Sequence, residues 1–283
     1  MRSITYAASA IIDRLAAPGR AARFRQHRTP FIHHGKHGLI FELHPNEEID
    51  GHIATYGIYE HRLLRLLESL IPANAVMLDI GANIGNHALY LARECSAVHC
   101  FEPNPRAYAR LERNIALNKA ANIQVHRFGL GSRDETATFH ENASGNLGAS
   151  GFRSSEGERR ELPIRNADDA VAELGLSRID LVKIDVEGME PEVLSGLSKT
   201  IATFRPIIAF EYSGHKHANW ALIQEALSGY EFFEPVFRRG IAALFNGGMA
   251  ELHPVGRPED RWYESLIAVP LDVRRQERAK LLD

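Results

Sequence analysis

Strands and helices alternate through this 283-residue chain from residue 76 onward, which predicts an α/β fold: a doubly wound, mostly parallel sheet of seven strands. Three stretches carry the prediction. In VMLDIGANIGN (76–86), Val76, Met77, Leu78 and Ile80 form the near-continuous apolar run of a strand buried on both faces, with Asp79 at its C-terminal end. Gly81 and Gly85 follow, four apart, and lead into a helical pattern. AVHCFEPNP (97–105) repeats the arrangement, with Glu102 at the strand tip and Asn104 and Pro105 as N-cap and first helical residue. In KIDVEGME the strand again closes on an acid, Asp185, followed by a second acid, Glu187, and a glycine that lets the chain turn.

Residues 1–57 read as an N-terminal extension made of a basic helix and a hairpin. The first thirty residues hold six arginines against one acid, Asp13, and their apolar pattern predicts a short amphipathic helix before Pro18 and Gly19. A solvated, loosely docked helix is the plain reading, a surface for anionic lipid or a partner the second, and a transit peptide the third. PFIHHGKHGLIFELHPNE predicts a hairpin turning near Gly35 and Gly38, placed to cap the sheet edge or the mouth of a ligand crevice. The α/β domain occupies 58–283. IYEHRLLRLLESLI (58–71) sets Leu63, Leu66, Leu67 and Leu70 on one helical stripe, a face to pack on the sheet. After the first two strands, Tyr108, Leu111 and Ile115 mark the buried stripe of the second crossover helix, and IQVHRF (123–128) is the third strand. Residues 131–165 interrupt the alternation: ETATFH and ELPIR are strand-like, and the polar, Gly-rich stretch between them is long for a plain connection. A functional loop over a cleft and a solvent loop without a role are equal readings of it. A helix from about Asn166 leads to DLVKIDV (180–186), a helix from Pro191 to PIIAFEY, and a helix near 219–228 to a tail of strand EFFEPVF, an irregular segment and strand SLIAVP.

Composition narrows the function. A formal charge of −3 leaves no electrostatic footprint for nucleic acid, which ordinarily shows as a basic patch on a basic domain. No run of 18 apolar residues occurs, and AASAII (7–12) is broken by Asp13 and Arg14 before a signal-peptide core can form, so a cytoplasmic protein without a transmembrane segment is expected. The two cysteines, Cys95 and Cys100, predict no disulfide, and a homo-oligomer stays open. Fourteen histidines include His33, His34, His37, His215 and His217, but neither group shows a zinc spacing.

The glycines at 81 and 85 permit positive φ and a close backbone approach, and the N–H groups of the helix beginning near Asn86 and His87 point into the same crevice. An acid about twenty residues after such a turn is placed to bind the ribose hydroxyls of a nucleoside. The spacing is neither the GxGxxG of dinucleotide folds nor a P-loop. With DIGANIGNH, FEPNP and KIDVEGMEPEVL the chain resembles class I, Rossmann-like methyltransferases that use S-adenosylmethionine (SAM), and within them the FkbM family, whose members mostly methylate hydroxyl oxygens. The resemblance runs over about residues 38–270. It implies an antiparallel edge hairpin from the last two strands. It assigns to the cofactor Asp79, Gly81, Ala82, Asn83, Gly85, Glu102 and Pro103, with Phe128 and Gly129 flanking the adenine. It also brings Tyr59 and Glu60 toward the amino end of SAM, and Asn146 and Gly148 of an NxG-containing hairpin toward the acceptor. For Tyr59 and Glu60, a packing aromatic and a solvated acid is an equal reading.

Methyl transfer from a sulfonium needs alignment, desolvation and, for an alcohol acceptor, removal of a proton. Strand ends supply the acids, so Asp185, Glu187 and Glu211 are expected to face the acceptor, with Asp185 the first candidate base and His215, just past the fifth strand, the reserve. Converging carboxylates raise one another's pKa or hold a hard cation such as magnesium, and the metal-free reading is preferred. Glu187 has a plainer alternative as a helix-entry acid. The expected function is O-methylation of a sugar, glycolipid or secondary metabolite. N-methylation of another small molecule and a SAM-binding scaffold without catalysis are the alternatives.

Overall fold

The computed structural model describes residues 16–142, 150–152, 157–213, 220–237, 250–258 and 261–272. Residues 16–24 are helical and include Pro18 and Gly19, while most of the stretch expected to form a helix before Pro18 lies outside the described residues. The expected hairpin follows as β1 (Phe31–His34) and β2 (Ile40–Leu43), paired from Phe31↔Leu43 to His34↔Ile40. Helix α1 (Glu48–Tyr56), which the sequence pattern did not announce, ends on Gly57 in the left-handed region, and α2 (His61–Leu70) buries the predicted leucine stripe. Then come β3 (Ala75–Ile80), α3 (Asn86–Leu91), β4 (Cys95–Phe101), α4 (Pro105–Asn118) and β5 (Ile123–His126). The Asn104 side chain caps α4 by accepting from the Arg106 N–H at 2.9 Å, as the Asn-Pro signal predicts.

The interruption becomes a small sheet of β6 (Gly129–Gly131), β7 (Glu135–Glu141) and β8 (Glu158–Asn166), in which β7 and β8 pair antiparallel from Glu135↔Ile164 to Glu141↔Glu158. Helix α5 (Ala167–Ala172), β9 (Leu181–Ile184), α6 (Glu190–Gly196), α7 (Ser198–Phe204), β10 (Ile207–Ser213), α8 (Trp220–Ala226), β11 (Tyr230–Phe237), β12 (Ala250–Pro254) and β13 (Trp262–Pro270) complete the described chain. The main sheet has the order β12-β11-β13-β10-β9-β3-β4-β5. Strands β10, β9, β3, β4 and β5 run parallel, and β13 enters between β10 and β11 antiparallel to both. The seven expected strands are therefore joined by an eighth. Part of the tail read as irregular is β12, a short strand whose pairing along β11 decides its form, because a five-residue run carries too little periodicity to declare itself.

Alternation across the sheet divides the interior. Met77 belongs to one core with Leu64, Leu67, Val98 and Leu111, while Leu78 and Ile80 belong to the other with Val182, Val193, Ile208 and Phe210. Phe41, Leu43 and Ile53 lie in the first core, so the hairpin and α1 are packed into the domain. The outer edge of β2 is sealed by α4. Asn114 Oδ1 accepts from the Glu42 N–H at 2.8 Å, and Asn118 both accepts from the Ile40 N–H at 2.8 Å and donates to its carbonyl at 2.6 Å. Both cysteines are free and buried. Among the described residues no helix is long and apolar enough to cross a membrane.

Candidate active site

Parallel strands in one sheet present their C-terminal ends to the same side, and the turns after β3, β4 and β9 and the end of β10 meet the α1–α2 junction around a cavity of about 600 Å³. The turn after β3 places Gly81, Asn83 and Gly85 at φ values of 80°, 49° and 87°. A Cβ on Gly81 would stand 1.8 Å from the Asp185 carbonyl oxygen, so this glycine is required by the tip of β9 rather than by a ligand. Glu102 fixes the turn from the neighbouring strand: its carboxylate accepts from the Asn83 and Asn104 N–H groups, each at 2.9 Å. Burial pushes the Glu102 carboxyl up to about 7 against the pull of these two amides, with Asp79 adding to the rise and Lys183 opposing it.

Lys183 is the buried cation of the site. It sits on β9 with its Nζ 3.1 Å from Asp185 Oδ2 and 3.8 Å from Asp79 Oδ1. Burial works against its charge, but Asp185, Asp79 and Glu60 together hold it above the ordinary lysine range. Asp79 is fully buried and neither carboxylate oxygen has a hydrogen-bond partner among the described residues, where Lys183 is the cation beside it. Burial would raise the Asp185 carboxyl, yet the charge and hydrogen bond of Lys183, followed by His87 and a hydrogen bond with Glu211, hold it below the usual carboxylate range. A carboxylate so held is a weak base. Carboxylate oxygens of Asp185, Glu187 and Glu211 lie within 4.8 Å of one another. Glu187 is left-handed at φ 52°, and buried Glu190 holds the turn by accepting from the Val186 and Gly188 N–H groups, both at 3.1 Å.

On the facing wall, Asn86 grips the backbone of Tyr59 in both directions, accepting from its N–H at 3.1 Å and donating to its carbonyl at 3.0 Å. Glu60 follows at φ 49°, and its Oε2 lies 2.9 Å from Nε2 of His87.

The profile of the family described as "Methyltransferase FkbM domain" matches residues 79–234, more than half of the chain. The chain belongs to the FkbM methyltransferase family. It is similar to the 2-O-methyltransferase NoeI of Sinorhizobium fredii, with 32% identity over 56% of this chain and 71% of NoeI. It is also similar to the hexuronic acid methyltransferase AglP of Haloferax volcanii, with 31% identity over 55% of this chain and 63% of AglP. The AMB antimetabolite synthetase AmbE of Pseudomonas aeruginosa matches at 31% identity over 49% of this chain, but the match spans only 8% of that protein. The match thus covers less than two thirds of AglP and a small fraction of AmbE.

In this FkbM domain the cavity wall includes Gly81, Ala82, Asn83, Glu102 and Pro103 from the cofactor set and Asp185, Glu187 and Glu211 from the acceptor set. Tyr59 and Glu60 line it too. Four expected residues do not. Asp79 lies behind the wall and meets Lys183; Gly85 caps α3, where a Cβ would meet Leu111 at 2.5 Å. Phe128 packs against Phe101, 5.8 Å between ring centroids, under the Arg165 guanidinium. Gly129 is buried as the first residue of β6, opposite Ile164. The aromatic wall comes instead from Phe139 and Phe152, in edge contact with centroids 5.1 Å apart. His215, Asn146 and Gly148 lie outside the described residues. Sequence reasoning missed Lys183, Glu264 and a role for the His87 side chain, all on the wall. Lys183 had a signal: a charge inside the apolar run LVKI is seldom buried without a partner. Glu264 had none, because β13 reaches the cavity only through its antiparallel insertion beside β10.

Proposed function

We propose that this chain transfers a methyl group from SAM to a hydroxyl oxygen of a small-molecule or glycan acceptor in the cytoplasm. The observation that carries the reading is Glu102: a carboxylate at the tip of β4, held by two backbone amides of the adjoining turns, on the wall of a cavity that also collects Asp185, Glu187 and Glu211. The residues fit SAM. Buried Asn83 Oδ1 has no hydrogen-bond partner among the described residues, the Glu102 carboxylate suits ribose hydroxyls, and the Phe139–Phe152 pair suits a planar base. Gly81, Ala82, Asn83, Glu102 and Pro103 would hold it. When bound it supplies a methyl group on a sulfonium, which a nucleophilic oxygen takes while the bonding pair stays on sulfur. Lys183 pairs with Asp79 and Asp185 and holds Asp185 in place beside Glu187 and Glu211. Transfer to oxygen is favoured by what the relatives NoeI and AglP are named for, a 2-O-methyltransferase and a hexuronic acid methyltransferase. The same acids would pair with a protonated amine, which keeps N-methylation as the second reading.

Titration calorimetry with SAM, followed by transfer from methyl-labelled SAM into a small-molecule extract of the producing cells, tests the proposal. Hydrogen bonds to a charged acceptor are worth ~1.5 to 3 kcal/mol, so Glu102→Ala should weaken SAM binding at least about tenfold. Unchanged affinity in a variant with native circular dichroism would remove the assignment, and mass spectrometry of the labelled product separates oxygen from nitrogen.

A further inference from the structure

We propose that His87 is the general base of the transfer, with Glu60 as the residue that orients it. The inference rests on the methyltransferase reading above and assigns that site a base in place of Asp185, which is committed to Lys183.

Three features of the structure support it. Glu60 occupies the N-cap position of α2, where an acid ordinarily bonds a free helix amide, yet its side chain makes no cap hydrogen bond. It turns instead to His87, with Oε2 2.9 Å from Nε2. The backbone is strained here: a glutamate at φ 49° persists only where its surroundings over-determine it. Those surroundings are the paired hydrogen bonds from Asn86 to Tyr59, one residue before Glu60 and contributed by the residue before His87. The two partners are thus built into adjoining positions of one clamp. His87 is itself buried, so its ring has little freedom.

The chemistry follows from the ring. Its Nε2–H donates to Glu60, which leaves Nδ1 as the nitrogen with a lone pair, and His87 lines the cavity together with Asp185 and Glu211. As the acceptor O–H bond breaks, the proton bonds to Nδ1 and the electron pair stays on the oxygen that takes the methyl. The imidazolium that forms is stabilised by Glu60 on its Nε2–H and by the charge of Asp185, which already interacts with His87. This is the arrangement of a base held by a carboxylate.

The test has one arm that needs no acceptor. In histidine-¹⁵N-labelled protein loaded with S-adenosylhomocysteine, neutral His87 should show a protonated Nε2 and a bare Nδ1, and Glu60→Gln should lower its titration midpoint by about one unit or more. Reversed nitrogens, or a midpoint unmoved in Glu60→Gln, would overturn the pairing. In the second arm, His87→Gln should bind SAM within about threefold of wild type but lose about a hundredfold to ten-thousandfold in transfer to the labelled acceptor fraction. Loss of SAM affinity along with transfer would make His87 a cofactor contact, and normal transfer would remove it from catalysis. If His87→Gln does not fold, the Glu60→Gln midpoint and a matching acid-side shift of its transfer profile decide the matter. Absence of SAM binding in the wild type would instead sink the methyltransferase reading.

Discussion

Glu102 and Lys183 show how single side chains set the electrostatics of the cavity. Burial pushes the Glu102 carboxyl up to about 7, and its ionised form is the stronger acceptor for ribose hydroxyls. Its folded pKa lies above its unfolded value near 4.5, so its contribution to stability is full below that value and lost as pH rises through about 7. SAM binding should respond in the opposite sense, tightening from pH 6 to 8, and calorimetry on Glu102→Gln should find that this dependence has flattened. Lys183 is the only described cation within salt-bridge distance of Asp79, which is fully buried. Lys183→Met leaves that carboxylate uncompensated, and breaking a buried pair from one side costs about 3 to 5 kcal/mol. Urea melts should show that loss, and Asp79→Asn in the same chain should recover a large part of it. A double variant as unstable as Lys183→Met would mean that the lysine matters through packing or through Asp185.

At the scale of elements, β4 and β5 carry a pair of histidines away from the cavity. His99 Nδ1 lies 3.2 Å from His126 Nε2, and His126 stacks on Phe101 with ring centroids 4.6 Å apart. Burial holds both below the usual histidine range, and for His126, with the charge of His99 added, down to about 4. Both rings stay neutral in the folded state while the unfolded chain takes up protons below about 6.5, so the stability they contribute is present above that value and lost as pH falls toward 4. Glu102 works in the opposite sense over the same window, so the histidine contribution is read as a difference: relative to wild type, His126→Phe should lose less stability, or gain more, between pH 7 and 5, and an equal slope in the variant would assign acid sensitivity elsewhere. The wild-type pair sits between strands whose pairing is parallel and slightly weaker per residue, which makes β5, at the open end of the sheet, the strand to loosen first.

For the molecule as a whole, the cavity is assembled from four strand ends and a wall contributed by residues 48–60, which come before the first strand of the main sheet. Phe41, Leu43 and Ile53 are fully buried in the core that also holds Met77 and Leu111. Removing residues 1–57 would expose that core and unseal Asn114 and Asn118, and would delete Glu48 and Ile49 from the cavity. The fragment 58–283 is therefore expected to lack a cooperative thermal transition and SAM binding. A fragment that melts cooperatively and binds SAM would establish residues 1–57 as a separable extension.

The sequence alone determined the parallel sheet, the chain order of its seven strands and the acids at their tips, because each rests on local chemistry: apolar runs too dense for an exposed strand, glycines where φ must be positive, an Asn-Pro helix start. It also marked Glu102 and Asp185 as residues of the crevice, since a strand's C-terminal end is where such folds bind ligands. What it could not express was the partner of each charge. Lys183 reads as one lysine in an apolar strand until β9 is laid beside β3 and its ammonium falls between Asp79 and Asp185. Glu60 reads as a neighbour of the cofactor or as a solvated acid until Asn86, 26 residues on, clamps the chain and the side chain meets His87. Pairings over such separations depend on register and on which loops close over the strand ends, and those are properties of the packed chain rather than of any stretch within it.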